Sequence, residues 1–380
     1  MTNQQLRKPT LIDQYLMTMR REINPSEKYE NVTRMVLDKL QNDYSQDNVR
    51  VFFNSLRKTE AQDPLHKWIG SYNLYSIILK RFFKWLGKPE VMEGIKQLRR
   101  KEKSIYKPSD LWTVKDDLLF LKYVTSKRDR CYHAIARDSS CRPSEILRLK
   151  IKDVVFKYID GRQYAEILVN GKTGTRHIPL INSIPYLKDY LDNHPCKGNP
   201  DIALICSTRG FKHFASHVWH HYYQYYKVKF FPKLLDNPSI NPEEKREIAE
   251  LLRKPWNPYI FRHSALTDKS KILKEHILRQ HAGWTSTSDM PEKYLHYFGN
   301  ESSDSILEAY GLKPKQEDIN KMKPVQCPNC SELNEVDSKF CRKCRYILSY
   351  DAWNEEPVDI NQIKEIKERL RILEIKKIDK

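Results

Sequence analysis

The chain has 380 residues, enough for two domains with smaller additions, and its 67 Lys and Arg against 49 Asp and Glu leave a formal net charge of +18. That excess points to a polyanionic partner. No apolar run of about 18 residues is present to cross a bilayer, and the polar N-terminal stretch lacks an apolar signal core, so a cytoplasmic protein without a membrane role is expected.

Residues 1–105 read as helical throughout. Leu11, Ile12, Tyr15, Leu16 and Met19 follow helical spacing, as do Tyr29, Val32, Val36 and Leu40 behind the cap residue Ser26. Val51, Phe52 and Leu56 mark a third helix. Tyr75, Ile78, Phe82 and Leu86 mark a long fourth, closed by Gly87 and Pro89. Four amphipathic helices can bury a core of their own as a bundle. Next comes a basic segment with Lys96, Arg99, Arg100, Lys101, Lys103 and Lys107 against the single acid Glu102. It reads either as a solvated linker or as a segment lying along phosphates.

The second domain opens at Thr113, with Asp116 three residues on as a capping pair. In Ser140-Cys141-Arg142-Pro143-Ser144-Glu145, Pro143 suits a first helical turn. Arg142 then sits beside unpaired backbone N–H groups that favour an anion. Segments 154–158, 164–169 and 176–180 read as strands separated by the turn dipeptides Asp160-Gly161 and Asn170-Gly171, which predicts a three-stranded antiparallel sheet with Lys172 in its second turn. The chain class is therefore mainly α with a small antiparallel β-sheet, α+β. Residues 184–256 alternate helix and loop, with a possible strand over 202–207 and an aromatic stretch, 213–231, that reads as core more readily than as base-stacking surface. His217, His220 and His221 lack an acidic or Cys partner for a metal and read as structural or surface groups.

Residues 257–299 carry the densest pattern. Asn257 as N-cap and Pro258 at the first position predict a helix on which Tyr259, Arg262 and His263 share a face. Gly283 closes a second helix before Trp284. Ser288 or Asp289, followed by Pro291, opens a short third helix with Tyr294, then Leu295 and His296. A further helix over 303–310 ends at Gly311.

Two Cys-x-x-Cys pairs, Cys327/Cys330 and Cys341/Cys344, are ten residues apart. Four thiolates select a structural Zn ion, and about 30 residues bury too little to fold without it. The other cysteines are scattered and expected to be reduced. In the tail, Ile363, Ile366, Leu370 and Leu373 form an apolar stripe, read as a packed amphipathic helix or a short self-associating coil.

Arg142 with Ser144-Glu145 and Leu149, Lys172 in Gly171-Lys172-Thr173-Gly174, Arg262-His263, Gly283-Trp284 and Tyr294-Leu295-His296 together resemble the tyrosine recombinases of the lambda-integrase and Xer type, in an archaeal-looking form. The resemblance covers residues from about 10 to 310. It implies a helical core-binding domain over 1–105, a catalytic domain over 106–315, and extras at 322–350 (zinc ribbon) and 355–380 (helix). It implies further that Arg142, Arg262 and Trp284 bind the scissile phosphate and that Lys172 protonates the leaving 5′ oxygen. Tyr294 is the nucleophile by the Tyr-x-His match, ahead of Tyr297. Tyr259 stands where the family has His, and Ser140 where it usually has Gly. Tyr259 is still counted with the catalytic residues, since its phenol can hydrogen-bond a phosphate, but a phenol is a poor base near neutral pH, which leaves substrate phosphate, water or His263 to take the nucleophile's proton. No catalytic metal is implied. The expected partners are double-stranded DNA, a homodimer on each site and a homotetramer in the synapse, with nucleoid association. A type IB topoisomerase and a DNA-binding protein with weakened catalysis are the alternatives.

Overall fold

The computed structural model describes residues 9–99, 106–171, 173–208, 210–295 and 322–354. The chain divides into two compact units, Met1–Ile105 and Tyr106–Lys380.

The first unit contains α1 (Leu11–Ile23), α2 (Glu27–Asp38), α3 (Gln46–Ser55) and α4 (Trp68–Trp85). Thr10 and Asp13 form a reciprocal capping box at α1, and Ser26 and Ser45 cap α2 and α3 with their hydroxyls. The inward faces meet in one core with Tyr15, Leu16, Val36, Leu37, Phe53, Leu79, Phe82 and Phe83 fully buried.

The second unit begins with α5 (Val114–Tyr123), α6 (Lys127–Ser139) and α7 (Pro143–Arg148), followed by an antiparallel sheet of β1 (Val154–Ile159), β2 (Arg162–Gly171) and β3 (Gly174–Leu180) in sequential order. Asp160 and Gly161 both take positive φ between Ile159 and its partner Arg162, the turn that dipeptide favours. The second turn differs from expectation. Asn170 and Gly171 stay in the ladder, with Gly171 opposite Gly174, so neither forms the turn of this hairpin. Then come α8 (Ile184–Asp192), α9 (Ser216–Tyr225), a π-helical turn over Tyr226–Phe230, α10 (Phe231–Leu235), α11 (Pro242–Arg253), α12 (Pro258–Ser270), α13 (Glu275–Ala282) and α14 (Met290–Leu295). The strand considered over 202–207 does not form. Lys150 and Ala203, and Cys206 and His213, make only isolated bridges. The aromatic stretch is mostly core: Trp219, Tyr223, Tyr226 and Phe231 are buried, while Tyr225 is exposed.

A buried polar network fixes α12. Arg137 on α6 donates to Asp117 on α5 (2.6 Å), to Asp268 on α12 (2.9 Å) and to the Phe261 carbonyl (3.4 Å). His133 bridges Asp117 (3.0 Å) and Tyr223 (3.2 Å). Burial lowers the His133 pKa against the pull of Asp117, which favours a neutral ring.

Two short strands near the C-terminal end, β4 (Val325–Gln326) and β5 (Leu333–Asn334), pair antiparallel beside the cysteine pairs. This small module docks on α8 and α6 through ions: Lys188 pairs with Glu332 (2.8 Å), Arg342 with Asp192 (2.5 Å) and Arg130 with Glu335, while Arg342 also pairs with Glu332 inside the module (2.9 Å).

Candidate active site

Three segments of the second unit meet at the site: 140–142 ahead of α7, the hairpin tip between β2 and β3, and residues 282–284 where α13 ends. Asn257 positions α12 beside them, its Oδ1 accepting from the backbone N–H groups of Tyr259 and Ile260 at 3.1 Å each. Gly283 ends α13 in the left-handed region at φ 64°.

Arg262 points inward from α12 and is only 5% exposed. Its Nη1 donates to the Ser140 carbonyl (2.6 Å) and its Nη2 to the Ala282 carbonyl (2.8 Å). Arg142 donates from Nη2 to the next carbonyl, Gly283 (3.3 Å), and from Nη1 to Glu145 (2.9 Å). The two guanidinium groups therefore hold neighbouring carbonyls of one turn. Burial pushes the Arg262 pKa down to about 10, the charge of Arg142 acts in the same direction, and Tyr294 opposes it. A guanidinium stays protonated in proteins, so the consequence is a desolvated Arg262 cation with a second cation nearby, an arrangement that an anion would relieve. Arg142 also lines a cleft of about 640 Å³ with Arg148, Lys150 and Lys152.

Tyr294 is 1% exposed. Its ring stacks on Trp284 (5.3 Å between centroids, 24°) and on His263 (5.8 Å, 24°). Its hydroxyl lies 3.0 Å from His263 Nδ1. The structure thus brings together Arg142, Arg262, Trp284 and Tyr294. Tyr259, on the first turn of α12, is 48% exposed, unlike Arg262 three residues on. Lys96 and Arg99 are exposed at the end of the first unit. Lys172, Arg100, Lys101, Lys103, His296 and the helices expected over 303–310 and 359–380 lie outside the described residues.

Arg176 on β3 is the residue that motif reading passed over. It donates to Glu145 Oε2 (2.8 Å), to Glu145 Oε1 (3.3 Å) and to the His281 carbonyl (3.1 Å). Glu145 also accepts from the Arg142 backbone N–H (2.8 Å). Burial works to raise the Glu145 pKa, but the hydrogen bonds from Arg176 and Arg142 outweigh it and hold the carboxyl low. Glu145 thereby joins the hairpin to Arg142. Thr173, beside the hairpin tip, donates its hydroxyl to the same Gly283 carbonyl that Arg142 uses (3.1 Å). The signal in the sequence was periodicity: Arg176 shares the inward face of β3 with the buried Ile178 and Leu180. A charge on a core face requires a partner.

The four thiols Cys327, Cys330, Cys341 and Cys344 lie within 4.8 Å of one another. The separations Cys327–Cys344 and Cys330–Cys341 are both 3.6 Å. A tetrahedral zinc with bonds of about 2.3 Å requires sulfurs about 3.8 Å apart, so the set fits. The Lys343 backbone N–H donates to Cys341 Sγ (3.4 Å) and the Asn329 amide to Cys344 Sγ (3.5 Å), as thiolate ligands need.

No protein-family model matches the chain, and no curated protein matches it by sequence. Solved structures do. The Tn1549 transposon integrase in complex with transposon right-end DNA is 13% identical with a TM-score of 0.52, over 80% of this chain and 99% of that one. The same integrase with a circular intermediate DNA gives 13% and 0.51 over 80% and 100%. A lambda integrase dimer bound to a COC′ core site gives 15% and 0.49 over 77% of each chain. What is shared is the fold. Its α+β arrangement of helices with a small antiparallel sheet is that of tyrosine recombinase catalytic domains.

Proposed function

We propose that the chain is a site-specific tyrosine recombinase or integrase that cuts and rejoins duplex DNA through a 3′-phosphotyrosyl intermediate. The observation that carries the reading is the convergence of Arg142 and Arg262 on the turn at 282–283, with Tyr294 packed on Trp284 of that turn. Fold likeness to integrases solved with DNA supports it by analogy.

Tyr294 attacks phosphorus, the 5′ oxygen leaves, and the bond energy is kept in the tyrosyl ester, so another 5′ hydroxyl can reverse the step. Negative charge grows on the non-bridging oxygens. Arg142 and Arg262 meet that charge as forks, and Trp284 donates its indole N–H. Lys172 is the acid for the leaving oxygen. No catalytic metal enters this scheme. Residues 1–105 act as the DNA clamp, with Lys96, Arg99, Arg100, Lys101 and Lys103 on phosphates, and 106–315 as the catalytic domain. The ribbon at 322–350 takes a structural zinc that supplies folding free energy. Protomers pair on a site and form a tetramer in the synapse.

The test is covalent capture. Wild-type protein incubated with sheared DNA of its own organism yields detergent-resistant adducts whose sequences cluster at discrete sites, and Tyr294→Phe yields none. Adducts spread evenly over unrelated plasmid, with relaxation of its supercoils, would instead mark a topoisomerase. Adducts that persist in Tyr294→Phe refute the assignment of the nucleophile.

A further inference from the structure

The phenol of Tyr294 has an ordinary pKa of about 10, so it attacks at neutral pH only if its proton has somewhere to go. We propose that His263 is that acceptor: its Nδ1 takes the Tyr294 hydroxyl proton as the phenol oxygen attacks phosphorus. The inference rests on the strand-transfer reading above. It is carried by the 3.0 Å approach of the Tyr294 hydroxyl to His263 Nδ1, within direct proton-transfer range.

The other groups nearby are worse placed. Tyr259 stands half-exposed on the first turn of α12, and a phenol would make a poor base for another phenol. Glu145 is committed to Arg142 and Arg176. His281 sits among cations, with its pKa pushed down to about 3 by burial and then by Lys269, Arg176 and Arg262. The imidazole of His263, in contrast, is braced for a fixed direction. Its ring contacts Tyr106 (5.1 Å), whose hydroxyl donates to Asn257 Oδ1 (3.2 Å), and it runs nearly parallel to the Tyr294 ring. Accepting that proton requires the tautomer in which Nδ1 carries the lone pair and Nε2 the proton.

The step balances. The Tyr294 O–H bond breaks and its proton passes to Nδ1, the oxygen–phosphorus bond forms, and the phosphorus–5′ oxygen bond breaks with a proton from the general acid. On rejoining, the imidazolium returns its proton to the departing phenolate. His263 is thus a catalytic residue in the role that a His at 259 would otherwise fill.

The experiment follows adduct formation with sheared total DNA of the source organism, using full-length protein. General-base catalysis is worth about 10²–10⁴-fold, so His263→Asn slows capture at least about 100-fold while Tyr225→Phe, at an exposed ring given no part in the site, stays within about threefold of wild type. His263→Gly regains capture when free imidazole is added, which a purely structural loss would not do. Capture by His263→Asn within about tenfold of wild type overturns the inference. So does a His263→Gly variant that stays folded yet gains nothing from imidazole. Absence of adduct from the wild type strikes the strand-transfer reading itself, a separate result.

Discussion

Replacing Gly283 by Ala probes the turn on which both arginines rest. Its backbone is left-handed, where a Cβ costs about 1 kcal/mol. The added carbon would also stand 2.8 Å from Arg176 Nη1 and 2.9 Å from its Cζ, closer than such contacts allow. Arg176 cannot move aside freely, because its side chain is 11% exposed and paired with a Glu145 side chain that is 4% exposed. Losing part of that pair adds about 1–3 kcal/mol, for a total of about 2–4 kcal/mol. Gly161 offers the control: it too has positive φ, but nothing lies within 4 Å of a new Cβ, so Gly161→Ala carries the strain alone, about 1 kcal/mol. Urea unfolding followed by tryptophan fluorescence compares the two. Because the Gly283 carbonyl receives both Arg142 and Thr173, DNA capture falls in Gly283→Ala and not in Gly161→Ala. Equal destabilisation by the two substitutions would refute the close packing of Arg176 on this turn.

The opposite sign is expected at Ser140, which is left-handed at φ 54° with a buried hydroxyl that has no partner among the described residues; Ser140→Gly stabilises by about 1 kcal/mol in the same unfolding measurement. The His281 pKa of about 3 lies below its unfolded value, so the unfolded chain gains a proton first as pH falls, and stability drops between about pH 6.5 and 3. The linkage amounts to about 2 kcal/mol at pH 5, His133 adds in the same direction, and His281→Gln should flatten the slope in denaturant titrations across this window. Metal analysis of purified protein should find one zinc per chain, and Cys341→Ala should lose it and open the region 322–354 to proteolysis. Lys172→Ala should slow DNA cleavage about 10²–10⁴-fold, and sulfur in place of the bridging 5′ oxygen, a leaving group that needs no proton, should restore it.

The helix boundaries around the site were legible because they depend on neighbours in sequence. Asn257 caps α12 with its own side chain, and Gly283 supplies the positive φ that ends α13. Ser140 was legible only as a departure from the family's Gly. The structure supplies the reason: the residue ending α6 is left-handed, a conformation for which Gly is the easier choice. The second hairpin turn was misjudged because Asn170-Gly171 is a strong local signal for a turn. Gly171 is needed there for a different purpose, since a Cβ would come 2.4 Å from Glu145 Oε1 and 3.0 Å from Arg176 Nη1. Close approach and turn geometry select the same residue, and one sequence does not separate them.

Arg176 marks where local reading ends. Its partners, Glu145 and the His281 carbonyl, lie 31 and 105 positions away, so no window of sequence contains the set. The pattern could have shown that a charge faced inward; only the packing shows that it ties three segments to one point. Arg142 is held through Glu145, the hairpin through Thr173 and Arg176, and α13 through the His281 carbonyl. A substitution at Arg176 should therefore disturb groups that never touch it. Arg176→Met, which keeps much of the apolar bulk, should free the hairpin and weaken both stability and DNA capture, while Arg148→Met in the nearby cleft, a change to an exposed side chain, should spare stability.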